Sequence, residues 1–364
     1  MSNIPIVFNR TLLFDGSHAL HRNLSEPNTY EMRNQKGKRT GGIFGVLRTI
    51  LKEFKTFNYF PIVVFDGGLS KRRLDIYPNY KRTLDKQLLR ESLEPKTEEQ
   101  LLDEEYLREY ATQRNDLIEL LPLFGIPVIR IDGWEGDDLL YILTKMSKDS
   151  VVVSDDKDLI QLVTEPSVQE DRRCRVRRGM RDEFITYDYL KENGINIKEY
   201  VWTKAICGDN SDNIPSSCYQ VGEKTALGLI KLIEGVATNT ISKFPTDEKE
   251  LETICNKLNI SKRKAYLNYD ENQFLTNLLL MDLSLVDEEV DEHFINNLYI
   301  DVLAQSQILD VKEIINRLNE FDISTFDYNK LVERVNMMKH CLKIEDLNYT
   351  EQMSDTNKPS NMLF

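Results

Sequence analysis

The chain has 364 residues, 41% hydrophobic and 29% charged, which suits a soluble globular protein with room for one large domain or roughly two to three smaller ones. No run of about 18 apolar residues occurs and the opening MSNIPIVFNRTLLFDG lacks signal-peptide order, so a cytoplasmic, non-membrane protein is expected. The net charge of −13 by itself argues against nucleic acid, and five scattered cysteines without a Cys-x-x-Cys pair argue against zinc and for free thiols.

Taken in chain order, short apolar runs that end in acids recur: TLLFD (11–15), IVVFD (62–66), IPVIRID (126–132) and VVVSDD (151–156). Each reads as a buried strand, with helical patterns between them. That alternation predicts an α/β fold with a mostly parallel sheet flanked by helices. Ligands of such sheets collect at the carboxyl ends of the strands, so acids distant in sequence are expected on one rim.

Between the second and third runs, residues 69–115 are long, charged and helix-prone, the pattern of an arch over a site. Within it, residues 71–90 hold 7 basic and 2 acidic residues. RRCRVRRGMR (172–181) carries six arginines around Gly179 and is followed by EFITY, which predicts a hairpin. Arg173, Arg175 and Arg177 alternate, so one strand face would carry them, either along a duplex or against the acidic C-terminal third. That third is strongly acidic: residues 281–364 hold 17 acidic against 7 basic residues. From Asp188 the pattern is helical, with a turn-rich loop at 208–222 opening a helix. The polar stretch 351–359 is expected to be disordered, ahead of an apolar NMLF. Three divisions are expected: an α/β core at 1–190, a helical region at 191–300, and acidic helices with a tail at 301–364.

Nine carboxylates stand where chemistry can use them: Asp15, Asp66, Glu135, Asp137, Asp138, Asp156, Asp158, Asp209 and Asp212. Each has an ordinary reading alone, as a strand-end turn, a helix cap or a helix-dipole partner. Brought together they would repel and raise one another's pKa unless cations joined them. Oxygen donors without a His or Cys cluster indicate two Mg²⁺ or Mn²⁺ ions, which suit in-line attack on a phosphodiester. The four histidines form no ligand pattern and receive no role.

The motifs together resemble the 5′-nuclease (flap endonuclease) superfamily over about residues 10–235. They are DGSHALHR, VVFDGG, YPNYKRTLD, GWEGDDLL, VVSDDKDLIQLV and GDNSDNIPSSCYQVGEKTA. The resemblance implies a Rossmann/PIN-like sheet, a helical arch and a helix-turn-helix-type DNA-binding hairpin. It places Asp15, Asp66, Glu135 and Asp137 around a first metal, and Asp156, Asp158, Asp209 and Asp212 around a second, with Asp138 in support. Lys81 would stabilise charge on the scissile phosphate and Tyr80 would stack on an unpaired base. DNA contacts are expected from Arg22, Lys71, Arg72, Arg73, Arg82, Arg175 and Arg177, and from Gly222, Lys224 and Thr225 at a helix start. A K⁺ ion at the hairpin is also implied. Two departures stand out. Ser154-Asp155 replaces a usual Thr-Gly or Ser-Gly, and Ser216-Ser217 with Gln220-Val221-Gly222 replaces glycine-richer turns.

The expected activity is structure-specific 5′→3′ exonuclease and flap endonuclease action in replication, repair or primer removal, by a freestanding, monomeric, phage-type enzyme. The expected partners are branched or nicked DNA, RNA/DNA hybrids, and a sliding clamp or single-strand-binding protein docking on Met362, Leu363 and Phe364. RNase H-type primer removal as the main activity and non-catalytic junction binding are the alternatives. A phosphatase with an Asp nucleophile would want Asp-x-Asp on the first strand, where this chain has DGS.

Overall fold

The computed structural model describes residues 4–81, 97–165, 172–179, 181–218, 221–237 (backbone alone for 231–237) and 269–342. Arg82, the middle of the expected arch (82–96), Gln220 and the tail with Met362, Leu363 and Phe364 lie outside the described residues.

Among the described residues six strands form one sheet in the order β3-β2-β1-β4-β5-β6. They are β1 (Phe8–Asp15), β2 (Phe60–Val64), β3 (Val128–Ile129), β4 (Ser147–Val153), β5 (Arg173–Arg178) and β6 (Glu183–Ile185). All neighbours are parallel except β5 and β6, which pair antiparallel as the expected hairpin. Leu12, Leu13, Ile62, Val63, Val151 and Val152 are fully buried. They are consecutive rather than alternating because helices cover both faces of the sheet. The third run shortens to two paired residues because β3 is an edge strand bonded to β2 alone.

The chain leaves β1 toward β2 and β3 on one side, then crosses to β4 and β5 on the other. The switch point therefore lies between the carboxyl ends of β1 and β4. Asp15 is the last residue of β1, in register with Val64 of β2, and Ser154 follows β4. Helix α1 (Gly16–Ser25) starts on Asp15, whose carboxylate caps it by accepting from His18 N at 2.9 Å.

A close backbone approach sets the second acid. Gly67 N donates to Trp134 O at 2.9 Å, and a Cβ on Gly67 would stand 1.7 Å from Ile131 O. Only glycine lets the loop after β2 lie against the loop that leads into α6 (Gly136–Lys145). Gly67→Ala should therefore lower stability by roughly 2–3 kcal/mol, read from the urea midpoint; an unchanged midpoint would contradict the packing.

Among the described residues the other α-helices are α2 (Pro27–Tyr30), α3 (Gly41–Glu53), α4 (Lys71–Ile76), α5 (Glu98–Leu123), α7 (Tyr187–Glu192), α8 (Ile197–Cys207), α9 (Glu223–Ala237), α10 (Glu271–Met281), α11 (Glu292–Ser306), α12 (Val311–Glu320) and α13 (Tyr328–Met338). Helix α5 opens with a capping box between Thr97 and Gln100. The packing does not follow the expected division at residue 300. Leu298, Val302, Ile314, Leu331 and Val335 belong to the same core as the sheet. A separate small cluster joins Ala205, Ile206, Cys218, Leu229 and Phe274, bringing α8, α9 and α10 together beside the main core. Among the described residues no helix is long and apolar enough to cross a membrane.

Candidate active site

An open cleft of about 550 Å³ lies over the switch point. Eight of the nine candidate acids line it: Asp15, Asp66, Glu135, Asp137, Asp156, Asp158, Asp209 and Asp212. The ninth, Asp138, is turned away. Asp155, the residue that departs from the family pattern, takes a place on the cleft wall instead.

The strand ends are cross-linked by Ser154. Its hydroxyl donates to Asp15 Oδ2 at 2.8 Å and accepts from Asp156 N at 3.1 Å, joining β1 to the turn after β4. Asp158 N in turn donates to Asp156 Oδ1 at 2.8 Å. Asp66 caps α6 from another segment, its Oδ1 accepting from Gly136 N at 2.7 Å. Glu135, at the N-cap position, makes no cap of its own. Its carboxylate is free to accept from Ser70 N at 3.2 Å, Tyr80 Oη at 2.9 Å and Lys81 Nζ at 2.8 Å.

Burial pushes the Asp15 carboxyl up to about 7, helped by Asp66 and Asp156 and opposed by the His18 N–H and the Ser154 hydroxyl. Asp156 is raised by burial and by Asp158. Asp212 is raised by burial, with Lys81 opposing. Asp209 is lowered: burial works against it, but the Ser211 hydrogen bonds and Lys204 outweigh burial. The raised Asp15 gives a signed expectation. Its folded pKa exceeds the unfolded value of 3.8. The stability it contributes is therefore full below about pH 4 and is lost as pH rises through about 7. In a chelator, the thermal midpoint of wild type should fall from pH 5 to pH 8, and Asp15→Asn should flatten that fall. Equal slopes would contradict it.

Two lysines stand among the acids. Lys81 Nζ lies 2.8 Å from Glu135 and 3.7 Å from Asp212, and Lys204 Nζ lies 2.8 Å from Asp158 and 3.4 Å from Asp209. Both ammonium groups are held above their ordinary pKa, because the neighbouring acids outweigh burial. Lys81 sits at φ +53°, a left-handed conformation unusual for a side-chain-bearing residue, and its N–H donates to Asp212 O at 2.8 Å. That bond couples the arch base to the 208–214 loop. Among the described residues no three His, Cys, Asp or Glu side chains are arranged to hold an ion as they stand. The donor set is nevertheless all-carboxylate, the chemistry of a hard divalent cation, and Asp15, Asp156 and Asp212 are raised first by burial and further by neighbouring acids, both of which a bound cation would offset.

Several expected DNA contacts are instead internal. Arg73 has a 2% exposed side chain and is the counter-charge of the acidic helix start. It pairs with Asp138 at 2.8 and 2.9 Å, Glu135 at 3.1 Å and Asp137 at 3.2 Å, and donates to Leu280 O at 2.8 Å. Asp138 is consumed by that fork, so it does not face the cleft. Tyr80 is buried, its hydroxyl held by Glu135, so its ring is not available to a base. Arg72 donates to Leu279 O at 2.6 Å and pairs with Glu289 at 3.2 Å. Arg22 is held by Asp155 at 3.2 Å and Thr49 Oγ1 at 3.0 Å.

Of the hairpin arginines, Arg173 is exposed, while Arg175 and Arg177 pair within the fold and not with the C-terminal third. Arg175 pairs with Asp149 and the Tyr59 hydroxyl, and Arg177 with Glu53 and Asp182. Arg177→Ala should cost about 2 kcal/mol of stability because Glu53 is left buried and unpaired. The salt slope of DNA binding should stay unchanged; a flattened slope would restore a phosphate contact. Lys71, Gly222 and Lys224 are exposed as expected, and Thr225 is half-buried at the start of α9.

His18 and His21 also line the cleft, a role the residue pattern did not suggest. His21 stacks on Tyr110 with centroids 4.0 Å apart and shares a hydrogen bond with the Tyr106 hydroxyl at 2.7 Å. Burial lowers the pKa of both histidines. Their i, i+3 spacing just after Asp15 was the available signal. Lys204 had none, because its partners are brought to it by tertiary structure.

A mostly parallel sheet with a carboxylate-lined cleft at its switch point defines an α/β architecture suited to metal-assisted phosphoester hydrolysis. Residues 10–192 match the family model of the 5′-3′ exonuclease N-terminal resolvase-like domain, and the chain belongs to that family. It is 29% identical over 271 residues to a 5′-3′ exonuclease of Buchnera aphidicola, covering 72% of this chain and 85% of the relative. A 5′-3′ exonuclease of Aquifex aeolicus is also 29% identical, over 65% of this chain and 76% of its own. Against DNA polymerase I of Streptococcus pneumoniae the chain, 29% identical over 66% of its length, spans 27% of the relative. Among solved structures, T5 D15 protein co-crystallised with metal ions is similar at a TM-score of 0.58 and 21% identity, over 82% of this chain and all of that one.

Proposed function

We propose that the cleft is the active centre of a structure-specific 5′ nuclease, a 5′→3′ exonuclease and flap endonuclease of replication and primer removal. The observation that carries this reading is the convergence of eight carboxylates from five separate segments on one cleft at the switch point. The family match supports the same activity.

In this reading Asp15, Asp66, Glu135 and Asp137 hold one divalent ion, and Asp156, Asp158, Asp209 and Asp212 hold another. Mg²⁺ or Mn²⁺ bound there would supply an activated water and stabilise charge on the attacking and leaving oxygens. Ser154 orients Asp15 and the turn that carries Asp156. Gly136 N fixes the rotamer of Asp66. Lys81 presents its ammonium to the scissile phosphate from the arch base, with Glu135 and Tyr80 holding it in place. Lys71 and the start of α9, with Gly222, Lys224 and Thr225, offer charge and free N–H groups to duplex phosphates. A K⁺ ion at the 208–222 loop, the arch over residues 69–115 and a clamp-binding tail belong to this proposal as well.

The test is cleavage of 5′-flap, nicked and RNA-primed substrates with Mg²⁺, in chelator, and with Asp156→Ala. Cleavage near the junction that requires the metal and Asp156 is expected. Intact flap DNA that the protein nonetheless binds would overturn the proposal, and cleavage confined to the RNA primer would move the substrate to RNA.

A further inference from the structure

Lys204 occupies a position that the proposed catalysis does not use. It lies in the last turn of α8, four residues ahead of the Gly208 cap (φ +69°) that leads into the Asp209 loop. Its ammonium bridges Asp158, from the 3₁₀ turn after β4, and Asp209, from the loop after α8. These two acids belong to the same proposed ion-binding group and are otherwise held by different parts of the fold. The side chain is 27% exposed, so it can leave without disturbing the core. The α8 backbone stays anchored, since Tyr200 Oη donates to Lys157 O at 3.0 Å.

We propose that Lys204 is a built-in counter-cation of the Asp158–Asp209 pair, which a divalent ion entering the second group must displace. The claim rests on the two-ion reading of the cleft and adds to it an exchange step. An ion ligating these carboxylates takes the lone pairs that the ammonium now uses. Two cations sharing them would sit in near contact at a partly buried site, where charge is weakly screened. One of them has to withdraw, and the flexible lysine stem allows it. Before exchange the ammonium offsets the repulsion between Asp158 and Asp209. After exchange the metal does so more strongly. Occupancy of this group is thereby set to a higher metal concentration than bare carboxylates would need. Lys81 differs because its backbone is locked to Asp212 and its role is toward the phosphate.

The test is Mn²⁺ binding by the full chain without DNA, followed by calorimetry and by the electron paramagnetic resonance of free Mn²⁺. Wild type should show two classes of site. In Lys204→Met the weaker class should tighten at least about tenfold, while Lys204→Arg should keep or raise the wild-type threshold. In chelator, Lys204→Met should also have a lower thermal midpoint than wild type, regained when Mn²⁺ is added. A weaker class that is unchanged or loosened in Lys204→Met would overturn the exchange and leave the two-ion reading standing. Binding of no Mn²⁺ by either protein would overturn both.

Discussion

Arg73→Met should lose about 3–5 kcal/mol of stability, the largest single effect expected outside the hydrophobic core. The methionine keeps most of the stem volume, so the loss is electrostatic. Burial pulls on the Arg73 charge, yet Asp137, Asp138 and Glu135 hold its pKa well above the ordinary value. Removing the guanidinium leaves Asp138, a 2% exposed carboxylate, beside Glu135 without its fork. It also cuts the tie to Leu280 O, one of two bonds from α4 to α10, the other being Arg72 to Leu279 O. Breaking one partner of a buried pair costs more than replacing both. The double variant Arg73→Met/Asp138→Leu should therefore recover part of the loss, a coupling that a double-mutant cycle in urea would measure. Arg73→Lys should fall between, because an ammonium cannot form the fork. Additive effects in the cycle would show that Arg73 acts through packing alone.

Glu135→Gln should lower Mg²⁺-dependent cleavage on the order of a thousandfold, the scale seen when a group that stabilises transition-state charge is removed. It should also destabilise the fold by about 2 kcal/mol, because Tyr80, Lys81, Ser70 and Arg73 all direct donors at this one carboxylate. The glutamine N–H₂ cannot accept from them. Asp137→Asn separates the two roles. Its side chain is 31% exposed and shares only one edge of Arg73. Activity should fall by a comparable factor while the thermal midpoint stays within about 2 °C. Full activity in Asp137→Asn would remove that carboxylate from the ion-binding group, whereas a large drop in its midpoint would make it a fold residue.

Both variants act on the stretch DGWEGDDLL, whose four acids have four different fates. Asp132 is an exposed turn residue paired with Arg130 at 3.0 Å. Glu135 is the hub of the arch base, Asp137 faces the cleft, and Asp138 is spent on Arg73. The helix dipole explains why acids are tolerated here. It does not distinguish among them, and the local cap of this helix comes from Asp66, about seventy residues away in sequence.

The parallel α/β sheet was legible because strand periodicity and length are local properties of the chain. The hairpin at 172–187 was legible for the same reason. The family motifs located the cleft acids, eight of which the fold brings to one wall. Charge partners were a different matter. The arginine alternation in β5 put three side chains on one face, but the acids that meet Arg175 and Arg177 come mainly from Asp149 and Glu53, on elements distant in the chain. The basic run left a duplex or the acidic C-terminal third open as its partner, whereas Arg175 and Arg177 pair with neither. Arg22, Arg72, Arg73 and Tyr80, expected on DNA, are likewise held within the fold. The continuity of the C-terminal helices with the sheet core was equally invisible, since the acidic excess of residues 281–364 records surface charge and says nothing of which face packs.

What the sequence by itself determined is the alternation of strands and helices, the candidate acids and the family, because each depends on residue type and local spacing. What only the tertiary structure decided is which acids face the cleft and which are neutralised by Arg73, Lys81 and Lys204. Ion pairing depends on distances of about 3 Å between side chains that can be more than a hundred residues apart, and no local pattern encodes that proximity.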